Sequence, residues 1–175
     1  MKNKSTKAGF VAIVGAPNAG KSTLLNGLVG FKLAAVTPKP QTTRNRIRGI
    51  LNHIRGQIVF VDTPGIHKAG KKALNRYLVS QTLHAIEDVD AVVLLVEPHD
   101  EAADPKPALK LIMRHLEKAP HPVLLAINKI DLMKDRKRLL PSIEAWNNTG
   151  FFEKIVPISA LKSNGLHQLL QTVFD

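Results

Sequence analysis

Phe10 to Val14 is an apolar run of strand length, and it leads without a break into Gly15-Ala16-Pro17-Asn18-Ala19-Gly20-Lys21-Ser22. This is a complete G-x-x-x-x-G-K-[ST] pattern, and Leu24, Leu25, Leu28 and Val29 follow it at helical spacing until Gly30. Strand, glycine-rich turn and helix together narrow the possible folds more than any other feature of the chain. Glycines admit backbone turns closed to other residues, so successive N–H groups face one point, reinforced by the positive end of the helix. Such a cradle holds phosphate. Lys21 is placed to reach β and γ phosphates, Ser22 offers Mg²⁺ a hydroxyl, and Thr23 stands beside it. An accidental glycine-rich turn would not require the whole motif in its structural setting.

The rest of the chain alternates strand-length apolar runs with helix-period segments, the pattern of a mostly parallel sheet covered on both faces. Further strands are expected over Arg46 to His53, Ile58 to Val61, Ala91 to Val96, Val123 to Ile127 and Ile155 to Ile158. The second and third form a hairpin helped by Gly56, and the runs from Ala91 and Val123 are central. Leu109, Ile112, Met113 and Leu116 mark a helix with Pro105 near its start and Pro120 beyond its end. Leu139 to Trp146 and Gly165 to Phe174 are the remaining helices, and Thr37 to Thr43 is a loop. The expected fold is a P-loop NTPase α/β/α sandwich of three layers, a six-stranded mostly parallel sheet with helices on both faces.

Three more motifs sit at strand ends. Asp62-Thr63-Pro64-Gly65 closes the third strand, where ligands of open α/β sheets collect. Asp62 can hold Mg²⁺ through a water, and Gly65 leaves its N–H open to a γ-phosphate. Asn128-Lys129-Ile130-Asp131 closes the fifth strand and bears on the base. Guanine presents N1–H and an N2 amine side by side, so the Asp131 carboxylate can accept from both, whereas adenine presents an acceptor. Lys129 can lay its alkyl stem over the base and Asn128 can brace neighbouring loops. Ser159-Ala160, with Leu161 after it, follows the last strand and would offer the Ala160 N–H to guanine O6; the alternative is turn and cap duty for Ser159. In Pro40-Gln41-Thr42-Thr43-Arg44, Thr43 is the candidate second Mg²⁺ ligand, joining the metal only while a γ-phosphate holds the loop closed.

Cysteine is absent and the Lys-rich start lacks the apolar run of a signal peptide, so a soluble, cytoplasmic protein of one domain is expected. The formal charge of +11 is lopsided: through Arg76 there are 14 Lys and Arg against Asp62 alone, and from Tyr77 onward 11 face 13 acids. A basic half attracts polyanions such as RNA, or merely the domain's own nucleotide. Arg44, Arg46 and Arg48 alternate along a strand and carry the same two readings. His67, His99 and His121 fall in expected loops without metal-ligand spacing, so they are expected to be exposed and zinc is not indicated.

These motifs in this order resemble the Era-type GTPases, of the translation-factor-related branch of small GTP-binding proteins. The resemblance rests on Gly15 to Ser22, Pro40 to Arg44, Asp62 to Gly65, Asn128 to Asp131 and Val156-Pro157-Ile158-Ser159-Ala160, and it spans essentially residues 1–175. It implies one G domain over 1–175, a sheet whose second and third strands are antiparallel, GTP and GDP as ligands with Mg²⁺, and GTP hydrolysis. Lys21, Thr43 and Gly65 would serve the chemistry. It also implies a monomer with peripheral membrane association and a role in small ribosomal subunit assembly. Era-type proteins bind 16S rRNA through a C-terminal KH domain, and no GXXG loop in a KH setting occurs here, so the chain reads as a GTPase domain of a longer protein that would make the rRNA contact, or as a shortened homologue.

Many GTPases orient the attacking water with Gln after D-x-x-G, but Ile66 stands here and can neither donate nor accept, so the intrinsic rate should be slow. In members of the branch with an apolar residue there, a P-loop Asn helps bind K⁺, which implies that role for Asn18; a plain turn residue is the alternative. A P-loop ATPase or nucleotide kinase would require Asp131 to be incidental. A third reading is a GTP-controlled binding module with negligible turnover until a partner arrives.

Overall fold

The computed structural model describes residues 6–30, 47–61, 86 and 88–175. Six strands, β1 (Lys7–Gly15), β2 (Ile47–His53), β3 (Gly56–Val61), β4 (Ala91–Val96), β5 (Val123–Ile127) and β6 (Lys154–Pro157), form one sheet in the order β2-β3-β1-β4-β5-β6. Every neighbouring pair is parallel except β2 with β3. The helices among the described residues are α1 (Lys21–Gly30), α2 (Pro107–Leu116), α3 (Leu139–Asn147) and α4 (Leu166–Phe174). The expected three-layer α/β/α sandwich is what forms.

Side-chain alternation along the strands explains the layers. Val11 and Ile13 of β1, Val93 and Leu95 of β4, and Leu124 and Ala126 of β5 face one way, against Leu24 and Leu28 of α1 and Leu166, Leu169, Leu170 and Phe174 of α4. The residues between them, Ala12, Val14, Val92, Leu94, Val123 and Leu125, face the opposite way, against Leu109, Ile112 and Leu116 of α2 and Trp146 of α3. Because both faces are covered, all five residues of β5 are buried and the strand reads as a continuous apolar run. The strand order reverses at β1, with β3 on one side and β4 on the other. Ligands of such sheets bind at the carboxyl ends of the strands at this switch point, and Gly15 to Ser22 leaves β1 there, with Asn128 to Asp131 at the same end of β5.

Boundaries shift where backbone pairing extends beyond the apolar signal. β1 begins at Lys7 rather than Phe10 because Lys7, Ala8 and Gly9 pair with Gly56, Gln57 and Ile58, an exposed end with no hydrophobic mark. β3 starts at Gly56 for the same reason. α2 opens on Pro107, just past Pro105 as expected: a first-turn proline loses no helix hydrogen bond, and its fixed φ suits the position. β6 runs from Lys154 to Pro157 instead of Ile155 to Ile158, though the Ile158 N–H still donates to the Ile127 carbonyl at 2.8 Å. α4 begins at Leu166, with Gly165 as its N-cap at φ +74°. Two 3₁₀ turns, Ile130–Leu132 and Arg136–Arg138, had no periodicity to announce them.

Candidate nucleotide site

The phosphate loop leaves β1 at Gly15 and enters α1 at Lys21. Asn18 sits at φ +64° and Gly20 at φ +100°, left-handed values that turn the chain back on itself. The Ala19 N–H donates to the Ala16 carbonyl at 3.2 Å and the Leu24 N–H to the Gly20 carbonyl at 2.8 Å, so the loop closes as α1 starts. No acidic residue occupies the first turn of α1, where a carboxylate would compete with a bound anion. Lys21 Nζ donates to the Gly15 and Ala16 carbonyls, each at 2.9 Å, which holds the ammonium over the loop. Ser22 and Thr23 are exposed in that first turn. A hydroxyl is a hard oxygen donor, and in this respect Ser22 fits Mg²⁺. Thr43, Asp62, Thr63, Pro64, Gly65 and Ile66 lie outside the described residues, as does the Pro40 to Arg44 loop.

The base side is built by side chains. Asn128 is 2% exposed, and its amide spans two loops: Nδ2 donates to the Ala19 carbonyl at 2.8 Å, while Oδ1 accepts from the Ala160 N–H at 2.9 Å. The phosphate loop and the 159–161 segment are thereby tied to one residue of the β5 end. Gly20 is required for this approach as well as for its backbone angle, since a Cβ there would overlap Asn128 Nδ2. The Ala160 N–H, expected at guanine O6, is turned inward to Asn128 in this structure; Ala160 is buried and Leu161 beside it is exposed.

Ser159 is fully buried, and its hydroxyl donates to Asp131 Oδ1 at 2.5 Å while accepting from the Lys162 N–H at 3.1 Å. That pair orients the Asp131 carboxylate across the gap between β5 and β6, and the Ile130 N–H to Ile158 carbonyl bond of 3.2 Å closes the same gap. Ser159 thus has a side-chain role that its position alone did not reveal. Lys129 adopts φ +67°, and its ammonium pairs with Glu97 Oε1. Glu97 was not anticipated, because a lone acid after a strand carries no motif. His99 is exposed as expected, with Nε2 3.0 Å from Glu97 Oε2 and 2.9 Å from Lys106 Nζ, whereas His121 is half-buried and His67 lies outside the described residues. Among the described residues no group of three or more His, Asp or Glu could hold a metal ion, and no helix is long and apolar enough to cross a membrane.

This arrangement sets a backbone anion cradle after β1 and an oriented carboxylate after β5, two parallel strands with β4 between them, and the Asn128 amide ties the two ends together. Comparison with known proteins agrees with it. GTPase Era of Geobacter sp. strain M21 is 46% identical over 173 residues, which is 99% of this chain and 57% of that protein. GTPase Era of Lacticaseibacillus paracasei is 46% identical over 168 residues, 96% of this chain and 54% of that protein. The chain therefore spans a little over half the length of these curated relatives. A crystal structure of Era in complex with MgGDPNP and nucleotides 1506–1542 of 16S ribosomal RNA superposes with a TM-score of 0.75 at 37% identity, over 97% of this chain and 57% of that one. Aquifex aeolicus Era bound to GDP·AlF₄⁻ superposes at 0.74 with 38% identity, over 97% and 56%. The family model described as 50S ribosome-binding GTPase matches residues 10–129, and the chain belongs to that family.

Proposed function

We propose that this chain binds GTP and GDP with Mg²⁺ and hydrolyses GTP to GDP and phosphate, as a slow cytoplasmic switch within a longer protein. The observation that carries the reading is the Asn128 brace, which ties the phosphate loop to the segment holding Asp131. One nucleotide then meets both halves, its phosphates at Gly15 to Thr23 and its base between Lys129, Asp131 and the Ser159 to Leu161 segment. Asp131 accepts from N1–H and N2–H of guanine; an adenine would leave that carboxylate unpaired, and sites built this way reject the wrong analogue by about 10⁴-fold.

In the reaction, water attacks the γ-phosphorus in line and the bond to the β,γ-bridging oxygen breaks. Loop N–H groups and Lys21 neutralise the charge that develops on the departing GDP and on the γ-oxygens. Mg²⁺, when bound, would supply further positive charge to the phosphates. Ser22, with Thr43 and with Asp62 through a water, would hold it, and the Gly65 N–H would contact the γ-phosphate. Ile66 cannot orient the water, so turnover stays low without a partner. K⁺ bound near Asn18 would supply the positive charge that other GTPases take from an arginine.

The Era relatives and the rRNA-bound Era structure support a setting in small ribosomal subunit assembly, with rRNA bound by a part of the protein beyond this sequence. Phosphate release should be measured with GTP and with ATP, in K⁺ and in Na⁺, alone and with small ribosomal subunits. Turnover of GTP alone, faster in K⁺ and faster again with subunits, is expected. Equal use of ATP would refute the guanine reading, equal rates in the two salts the K⁺ reading, and indifference to subunits the ribosomal one.

A further inference from the structure

Two residues that leave the sheet side by side form the contact that carries a further reading. β4 ends at Val96 and β5 at Ile127, which are paired in register, and the Asn128 N–H donates to the Val96 carbonyl at 2.8 Å. The chains emerging from these ends bring Glu97 against Lys129, whose ammonium pairs with Glu97 Oε1. We propose that Glu97 is a positioning residue for the base: by holding the Lys129 ammonium it keeps the alkyl stem extended for stacking on guanine. This rests on the guanine reading above.

Glu97 is not a free surface acid. Its side chain is 18% exposed and that of Lys129 31%. Its own turn is locked from beneath: the Glu97 N–H donates to Asp100 Oδ2 at 2.8 Å, and the Asp100 N–H donates to the Glu97 carbonyl at 2.9 Å. Asp100 is 6% exposed and is held in turn by Lys106 Nζ, 2.8 Å from Oδ1. The second oxygen of Glu97 lies 3.0 Å from His99 Nε2. An exposed pair of flexible chains would contribute little. Here one partner is fixed before the other arrives, so Lys129 gives up its rotamer freedom in the folded protein rather than when nucleotide binds. The left-handed backbone at Lys129 directs the stem away from the path a strand residue would take, and Glu97 is the described group that receives its end.

The test is a double-mutant cycle on the dissociation rate of a fluorescent GDP analogue, using Glu97→Ala, Lys129→Ala and the double variant, with Glu97→Gln as the conservative control. Glu97→Ala should speed GDP release about tenfold with little change in association, a coupling within the range for residues in contact. Glu97→Gln keeps an oxygen to accept from Lys129 and should recover most of the loss. In the Lys129→Ala background, removing Glu97 should add little. Wild-type release from Glu97→Ala would overturn the proposal, as would an equal effect of Glu97→Ala whether or not Lys129 is present, which would mark a general loosening of the turn. Thermal melts of each variant separate misfolding from altered release, and if Glu97→Ala melts early the cycle is run with Glu97→Leu, which keeps the side-chain bulk and removes the acceptor; faster release with Lys129 present and not in its absence is expected, and wild-type release would overturn the proposal. Wild-type preference for GTP over ATP is measured alongside, so failure of the guanine reading is seen independently of the cycle.

Discussion

The two halves of the site hold their ligand by different physical means. The phosphate half is chiefly a backbone device: it depends on left-handed angles at Asn18 and Gly20 and on the first turn of α1, to which Lys21 adds a charge and Ser22 a hydroxyl. The base half is a side-chain device, in which buried Asn128 and Ser159 and half-buried Asp131 are linked by hydrogen bonds of 2.5 to 2.9 Å. A backbone cradle accepts any phosphate and so supplies affinity, whereas a fixed carboxylate accepts one base edge and so supplies choice. A hydrogen bond from the Asn128 amide to the Ala19 carbonyl joins the halves.

Asp131→Asn should have the largest effect on ligand choice. Two hydrogen bonds to a charged group are lost and an amide is set against the guanine donors, so GTP affinity should fall about a hundredfold or more. Xanthosine nucleotides, which present a carbonyl where guanine has its amine, should gain. Calorimetric titration with both bases decides it, and an unchanged preference for guanine would remove the base half from the comparison. Asn128→Ala strikes the junction. It orphans the Ala19 carbonyl and the Ala160 N–H, and a loss of about 2 to 4 kcal/mol in urea unfolding without nucleotide is expected. A loss under 1 kcal/mol would show that the halves do not depend on this amide.

Gly20→Ala should cost about 1 to 3 kcal/mol, because a Cβ at φ +100° is strained and would also crowd Asn128. Its thermal melt should fall even without ligand, and GTP and ATP binding should weaken together. Pro17→Ala, at an exposed position of the same loop, should change stability by no more than about 0.5 kcal/mol if the loop is a backbone device. The smallest effect is expected far from both halves, at the Arg55 to Asp175 pair of 2.8 Å. The hydrogen bond from Arg55 holds the Asp175 carboxyl below its usual range. A lowered folded-state value stabilises the fold above the unfolded pKa, and that contribution is lost as pH falls through the folded value. NMR titration of Arg55→Ala should return the carboxyl toward the ordinary value with little change in melting.

The phosphate loop was legible because its geometry is written in residue types: glycines where the backbone turns, Lys and Ser where charge and metal are met. β4 and β5 were legible to the residue because strands buried on both faces are apolar throughout. The exposed start of β1 was not, since Lys7 and Ala8 join the sheet through backbone pairing that leaves no apolar mark. Asp131 is proposed as the base acceptor from the donors of guanine alone. The partner that orients it, the buried Ser159 hydroxyl, is 28 positions along the chain and became visible only when β5 and β6 lay side by side.

Sequence by itself therefore determined the layered fold and the strand-turn-helix of the phosphate loop, and it supplied the candidates proposed to meet the base, because those follow from local periodicity and from side-chain chemistry. Tertiary structure alone decided which of them touch: that Asn128 reaches Ala19 and Ala160, that the Ala160 N–H is spent inside the protein, and that Glu97 receives Lys129. Contacts between strand ends depend on sheet order and register, and residues 109 positions apart share no local pattern from which their meeting could be read.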